Sequence, residues 1–202
     1  MKDKIIDKAA ELFLTVGFKS ITMDDIAAKM GISKKTLYKY FSNKEQLVDE
    51  TTMSFQQRIN ARIDDVLAKD YNPIKELFEI KKTIQTFFQI TDTSPLYQLK
   101  KHYPETHDKL MDCEQKECAQ LFGQNISRGI AQGLYRKETD IETCTFFYYA
   151  LIMHINATTI LEKDASKLEL ALLEYHIRAI ATPKGIAELE QQLATLNEIK
   201  SI

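Results

Sequence analysis

The chain has 202 residues, 44% hydrophobic and 28% charged, with a formal net charge of −2, which fits a folded globular protein and excludes disordered and collagen-like classes. Four prolines, six glycines and the lack of any alternating β-branched run point to an all-α fold. No apolar run reaches membrane length, the start Met1-Lys2-Asp3-Lys4 lacks a signal-peptide core, and Cys113, Cys118 and Cys144 read as reduced thiols of a cytoplasmic protein.

Ile5, Ile6, Ala9, Leu12, Phe13 and Val16 recur at the three-and-four spacing of one helical face, and Gly17 stops that first helix. Thr22 and Asp25 form a capping-box-like start for a second helix, Met23 to Met30. Gly31-Ile32-Ser33 reads as a three-residue turn in which Gly31 ends one helix and Ser33 caps the next. A third helix spans Lys34 to about Tyr40. Ser42 and Glu45 make an S-x-x-E box for a long fourth helix through Leu47, Val48, Phe55, Ile59, Ile63 and Val66.

Asn72-Pro73 predicts a capped start for a helix through Leu77, Phe78, Ile84, Phe87 and Phe88. Pro95 and Pro104 break the following stretch, and a helix covers Asp108 to Gln132, ending near Gly133. Thr139 with Glu142 caps a helix from Asp140 to about Lys163, and Asp164 or Ser166 with Glu169 starts another ending near Ala181. Thr182-Pro183 opens a last polar helix, Lys184 to Ile199, whose Ile186, Leu189, Leu193 and Leu196 form a narrow stripe that favours docking over solvation.

Charge is uneven along this order. Thr22 to Lys44 carries five lysines against two aspartates, a local +3 that leaves −5 elsewhere. On a helical wheel Leu37 and Phe41 fall together, while Lys35 and Lys39 fall opposite, flanked by Tyr38 and Thr36. The apolar pair anchors the helix and turns the others outward. Ammonium groups, hydroxyls and the Thr or Tyr carbon suit phosphates, guanine edges and thymine methyls. Thr22 and Lys44, at the starts of the second and fourth helices, suit phosphates on either side. A lysine-rich helix alone is usually a solvated face; two short helices on a glycine turn with aromatics in the basic face are more specific.

Gly17-Phe18, Ile21 to Ala27 and Gly31 to Glu45 together closely resemble the TetR repressor family. The resemblance is dense over roughly the first fifty residues; beyond, it extends only to helical layout. It implies a helix-turn-helix domain at 1–46 and a helical ligand-binding and dimerisation domain at 47–202. The function implied is a ligand-responsive repressor that binds a palindromic operator as a homodimer and is released by a small-molecule effector. By position it places Ser33, Lys34, Lys35, Thr36, Tyr38 and Lys39 at the recognition helix, Tyr40 and Lys44 towards phosphates, and Thr22 at the second-helix clamp.

Two recognition helices one helical turn apart require pairing of protomers. The helix containing Phe146, Phe147, Tyr148, Tyr149, Leu151 and Ile152 is apolar nearly all round, and the next carries two apolar stripes, so both must be packed from several sides. In the family the corresponding pair forms a four-helix interface; Tyr148, Ile152, Leu168, Leu172, Tyr175 and Ala179 are the candidate interface residues. Phe55, Ile59, Phe87, Phe88, Tyr97, Phe122, Phe147 and His154 are candidates for an apolar effector pocket, with Asn156 a further polar group.

No cofactor is implied. His102 and His107, like Cys113 and Cys118, are five apart and share no helical face, which disfavours metal. Cys118 or Cys113 would act as a redox sensor only with a lowered pKa. Two other functions compete: an enzyme seated in the helical domain, which lacks a phosphate loop, metal cluster or nucleophile motif, and a partner-binding adaptor that keeps the fold without operator binding.

Overall fold

A computed structural model describes residues 1–88 and 91–200. Among these residues there are ten helices and no β-strand beyond two isolated bridges: α1 Lys2–Val16, α2 Met23–Met30, α3 Lys34–Tyr38, α4 Lys44–Leu67, α5 Pro73–Phe88, α6 Pro95–His102, α7 Pro104–Ala131, α8 Ile141–Thr158, α9 Glu162–Ile180 and α10 Pro183–Lys200. None is long and apolar enough to cross a membrane.

The N-terminal helices form as their caps dictate. Thr22 Oγ1 accepts from Asp25 N–H at 3.1 Å while Thr22 N–H donates to Asp25 Oδ2 at 2.9 Å, a reciprocal capping box that satisfies two otherwise orphaned donors. Gly31 ends α2 at φ 64°, a left-handed conformation that costs a side-chain-bearing residue energy and glycine none. Ser33 then caps α3 through Thr36 N–H. α3 is a single short helix ending at Tyr38, and Tyr40 and Phe41 continue it as turns bonded back to Leu37 O.

Several starts differ from the sequence expectation. Asn43, not Ser42, caps α4: its Oδ1 accepts from Gln46 N–H at 2.8 Å. Ser42 instead donates from both N–H and hydroxyl to Gln46 Oε1, so the box is shifted by one residue and uses a glutamine side chain. Pro95 and Pro104 open α6 and α7 rather than interrupt the chain, since a proline at the first helical position removes only a donor that would be unpaired anyway. Asp140, not Thr139, caps α8.

α8 stops at Thr158, and α9 begins at Glu162 without a side-chain cap. Thr159 to Leu161 is extended because its backbone pairs with the segment ahead of α6. Ser94 N–H donates to Ile160 O, Glu162 N–H to Asp92 O, and Thr93 bridges Leu161. A similar bridge, Tyr135 with Ala181, ties the turn after α7 to the start of α10, whose cap is Thr182 through Gly185 N–H. The expected stripe of α10 does dock: Leu189 is fully buried and Ile186, Leu193 and Leu196 pack against the same core.

Two apolar cores result. One gathers α1 to α3, the start of α4, and Leu99 and Leu110 from α6 and α7. The other gathers α5 and α7 to α10. Glu76, buried in α5, receives Asn125 Nδ2 at 2.9 Å and the Arg128 guanidinium, so a buried charge is compensated. Gly129 lies so close to the Tyr135 ring that a Cβ would sit 2.1 Å from it, and glycine is needed for this contact.

Candidate DNA-binding surface and internal cavity

Leu37 and Phe41 are fully buried in the first core, and this anchoring turns the rest of α3 to solvent. Lys34, Lys35, Tyr38, Lys39 and Tyr40 are exposed, and Thr36 is half-buried. Lys34 is not free: its ammonium pairs with Asp24 of α2, which holds α2 against α3 and raises the lysine pKa. The hydroxyls of Ser33 and Thr36 lie 2.8 Å apart. Lys35, Tyr38 and Lys39 remain as unencumbered outward groups, and Thr22 is exposed at the N-terminus of α2.

Lys44, half-buried at the first turn of α4, has its ammonium 3.4 Å from Lys19 O and 5.8 Å from the centre of the Tyr103 ring. Burial lowers its pKa. The lysine thus stands at a junction of the N-terminal helices with the turn between α6 and α7. A second junction lies beside it, where Phe18 N–H donates to Gln98 Oε1 of α6 at 3.0 Å.

Between the two cores lies a cavity of about 500 Å3, within the range of small-molecule sites. Its wall runs from Phe13 and Phe18 through Phe55, Ile59 and Phe88 to Phe122 and Tyr148. Of the eight residues expected in a pocket, Phe55, Ile59, Phe88 and Phe122 line it, and Asn156 does too. Phe87 stands behind, edge-on to Phe55 at 5.5 Å. Tyr97 faces away under the Lys101 ammonium.

Phe147 and His154 are exposed on α8, on the opposite face from Tyr148 and Ile152. That pair, assigned to an interface, instead turns inward: Tyr148 lies against Phe122 with ring centres 4.1 Å apart, and Ile152 lines the cavity. Leu172 is likewise buried in the second core. A helix apolar on every side has no moment from which to tell its inner stripe. Leu168, Tyr175 and Ala179 are exposed; with Phe146, Phe147 and Leu151, of which Phe146 is 63% and Tyr175 67% exposed, they make a broad apolar face on α8 and α9.

The cavity also has a polar component that the sequence reading missed. Asp64, Glu114, Glu117, Glu162 and Glu169 line it, against one cation, Lys81. Lys81 is bound to Glu169, and Asn60 donates to Glu117 at 2.7 Å. Burial, with Glu117 and Glu169 nearby, pushes Glu114 up to about 7; burial and Glu169 push Glu162 up to about 7. The available signal was an acid set within the apolar series Leu110, Cys118, Leu121 and Phe122 at helical spacing. Among the described residues no three His, Cys, Asp or Glu side chains are grouped to hold a metal ion. Burial raises the Cys118 thiol to about 12, which leaves it protonated and unsuited to redox sensing.

Residues 5–51 match the family described as bacterial regulatory proteins, tetR family. The HTH-type transcriptional repressor KstR2 of Mycolicibacterium smegmatis is 26% identical over 149 residues, 70% of either chain. IcaR of Staphylococcus aureus, the HTH-type negative transcriptional regulator of the biofilm operon icaADBC, is 26% identical over 124 residues, 61% of either chain. The fold is similar to that of a transcriptional regulator from Cytophaga hutchinsonii, with a TM-score of 0.73 at 19% identity over 89% of this chain and 98% of that one. The family match starts with the buried face of α1 and ends inside α4, taking in everything that anchors and presents α3; it is this N-terminal segment, residues 5–51, that the chain shares with the bacterial regulatory proteins of the tetR family.

Proposed function

We propose that the protein is a cytoplasmic, homodimeric repressor that holds a palindromic operator through α3 and is released when a small molecule occupies the cavity. Residues 1–46 are the DNA-binding domain and residues 47–202 the effector-binding and dimerisation domain. Lys35, Tyr38 and Lys39, with Thr36, enter the major groove; Thr22, Tyr40 and Lys44 meet phosphates on its flanks. Lys34 and Ser33 act chiefly by holding and capping α3. The observation that carries this reading is the presentation of α3: Leu37 and Phe41 are fully buried while their neighbours face solvent.

The dimer forms through the apolar face of α8 and α9, with Phe147, Leu151, Leu168, Tyr175 and Ala179 at its centre. Exposed apolar area of this extent is costly in a monomer and is expected at a protein interface. The effector is largely apolar, in keeping with Phe55, Ile59, Phe88 and Phe122 in the cavity wall. Selection of bound fragments from randomised duplex DNA tests the reading. Recovery of an inverted repeat with half-sites one helical turn or a multiple apart, about 34–36 Å per turn, is expected. Recovery of no sequence preference at any salt concentration would instead favour an adaptor that retains the fold.

A further inference from the structure

The cavity wall is apolar in area yet acidic in charge. Among the described residues five carboxylates line it against the single ammonium of Lys81, and that ammonium is already committed to Glu169. Asn60 holds Glu117. Glu114, half-buried in the cavity wall and within electrostatic reach of Tyr149, has no hydrogen-bond or ion-pair partner among the described residues. An ionised carboxylate facing a largely apolar wall lacks the paired charge or hydrogen bonds that normally compensate such a position. The rise of its pKa to about 7 records the same deficit.

Tyr149 adds a second feature. Its hydroxyl donates to Met111 O at 3.0 Å, which fixes the ring in the cavity wall near Glu114. An aromatic ring with a carboxylate close by is the arrangement that receives ammonium groups, through the ring's negative face and the ion pair together. A metal ion is a poor occupant, because among the described residues no three acids are grouped to hold one. An anion would meet net negative charge.

We infer that the effector is an amphipathic organic cation, its apolar body against Phe55, Phe88 and Phe122 and its ammonium between Glu114 and Tyr149. This rests on the cavity being the effector site and adds the charge of the ligand. A fixed cation restores to Glu114 the partner it lacks, whereas a neutral ligand of the same shape leaves the carboxyl desolvated and alone.

Calorimetric titration of the full chain with three matched probes tests the inference: phenylbutyltrimethylammonium, its tert-butyl isostere in which carbon replaces nitrogen, and phenylpentanoate. The cation should bind at least tenfold more tightly than the neutral isostere, and the anion weakest. Glu114→Gln, which keeps the shape of the side chain and removes the unpaired acid, should lower the cation-to-neutral ratio at least fivefold with the helical circular dichroism unchanged. Equal or tighter binding of the neutral probe, or a preference undiminished by Glu114→Gln, would overturn the charge assignment and leave the cavity as the effector site. Binding of none of the three overturns the inference and the cavity reading together, while the DNA selection reports separately on operator binding.

Discussion

Leu37 and Tyr38 are neighbours in sequence and opposites in environment, and their alanine variants separate folding from recognition. Leu37 has no exposed surface, whereas Tyr38 is 48% exposed. A buried leucine cut to alanine loses about 2–5 kcal/mol through lost transfer energy and the cavity left behind. For a chain of this size that lowers the melting temperature by roughly 4–20 °C, at about 2–4 °C per kcal/mol. Tyr38→Ala should leave stability within about 0.5 kcal/mol, as at other surface positions without special contacts. It should nevertheless weaken binding to the selected operator, because a good base contact is worth about 1–3 kcal/mol per half-site, or roughly 5- to 150-fold. Thermal unfolding by circular dichroism and fluorescence anisotropy on a labelled operator, run on both variants, provide the two readouts. A Tyr38→Ala protein that melts like Leu37→Ala, or that keeps full operator affinity, would refute the orientation assigned to α3.

Lys44→Ala should lower the slope of log affinity against log salt by about 0.9 per protomer, measured by anisotropy over a salt series; an unchanged slope would remove the lysine from the phosphate contacts. Phe147→Glu with Tyr175→Glu should yield a folded monomer in sedimentation equilibrium, since both side chains are exposed, and a persistent dimer would move the interface elsewhere. His176 is wedged between Phe122 and Tyr148, and burial lowers its pKa from 6.5 to about 4. Because the folded value is depressed, its contribution is present above pH 6.5 and is lost as the pH falls towards 4. The loss is on the order of 3 kcal/mol. The cost of His176→Phe, read from denaturant midpoints, should therefore be smaller at pH 4 than at pH 7 and reverse in sign if it is below that loss at pH 7, and parallel pH profiles would show that the histidine does not titrate in this window.

The N-terminal part of the fold was legible because its determinants are local. Thr22 and Ser33 cap within three residues, Gly31 needs only its own φ, and the anchoring of α3 follows from the spacing of Leu37 and Phe41. Local competition and distant partners account for the differences. Ser42 and Asn43 are both good caps, and Gln46 decides between them by accepting from Ser42 while its own N–H bonds Asn43; the end of α8 at Thr158 depends on pairing with residues 92–94, more than sixty positions earlier. Tyr148 and Phe147 are equally apolar neighbours, and only the packing of α7 and α9 against one of them separates wall from surface. Glu114 gave no signal for the same reason: a glutamate on a long helix is ordinary until the neighbouring helices enclose a cavity that it lines.

The cavity and the DNA-binding surface are mechanically continuous, which gives the proposed release a route. Phe13 and Phe18 of the N-terminal core and Thr51 and Phe55 of α4 belong to the cavity wall. Gln98 holds the backbone at Phe18 from α6, and Tyr103 lies under Lys44. A ligand that spreads α4 from α7 therefore acts on α1 and α4 directly, without a relay of side chains. α4 has 24 residues, a length of roughly 36 Å at about 1.5 Å per residue. A tilt of about 5° about its C-terminal end then moves its N-terminal end by about 3 Å, comparable to a hydrogen-bond length, and the two tilts of a dimer add across the operator. The energy required is bounded as well. To carry the population from one part in a hundred operator-competent to ninety-nine, or the reverse, the effector must prefer one state by about 5.5 kcal/mol. An apolar ligand gains that difference only if the wall closes more completely in one state. A cation meeting Glu114 can gain part of it electrostatically, because the strength of a buried ion pair changes steeply with small changes in separation and hydration.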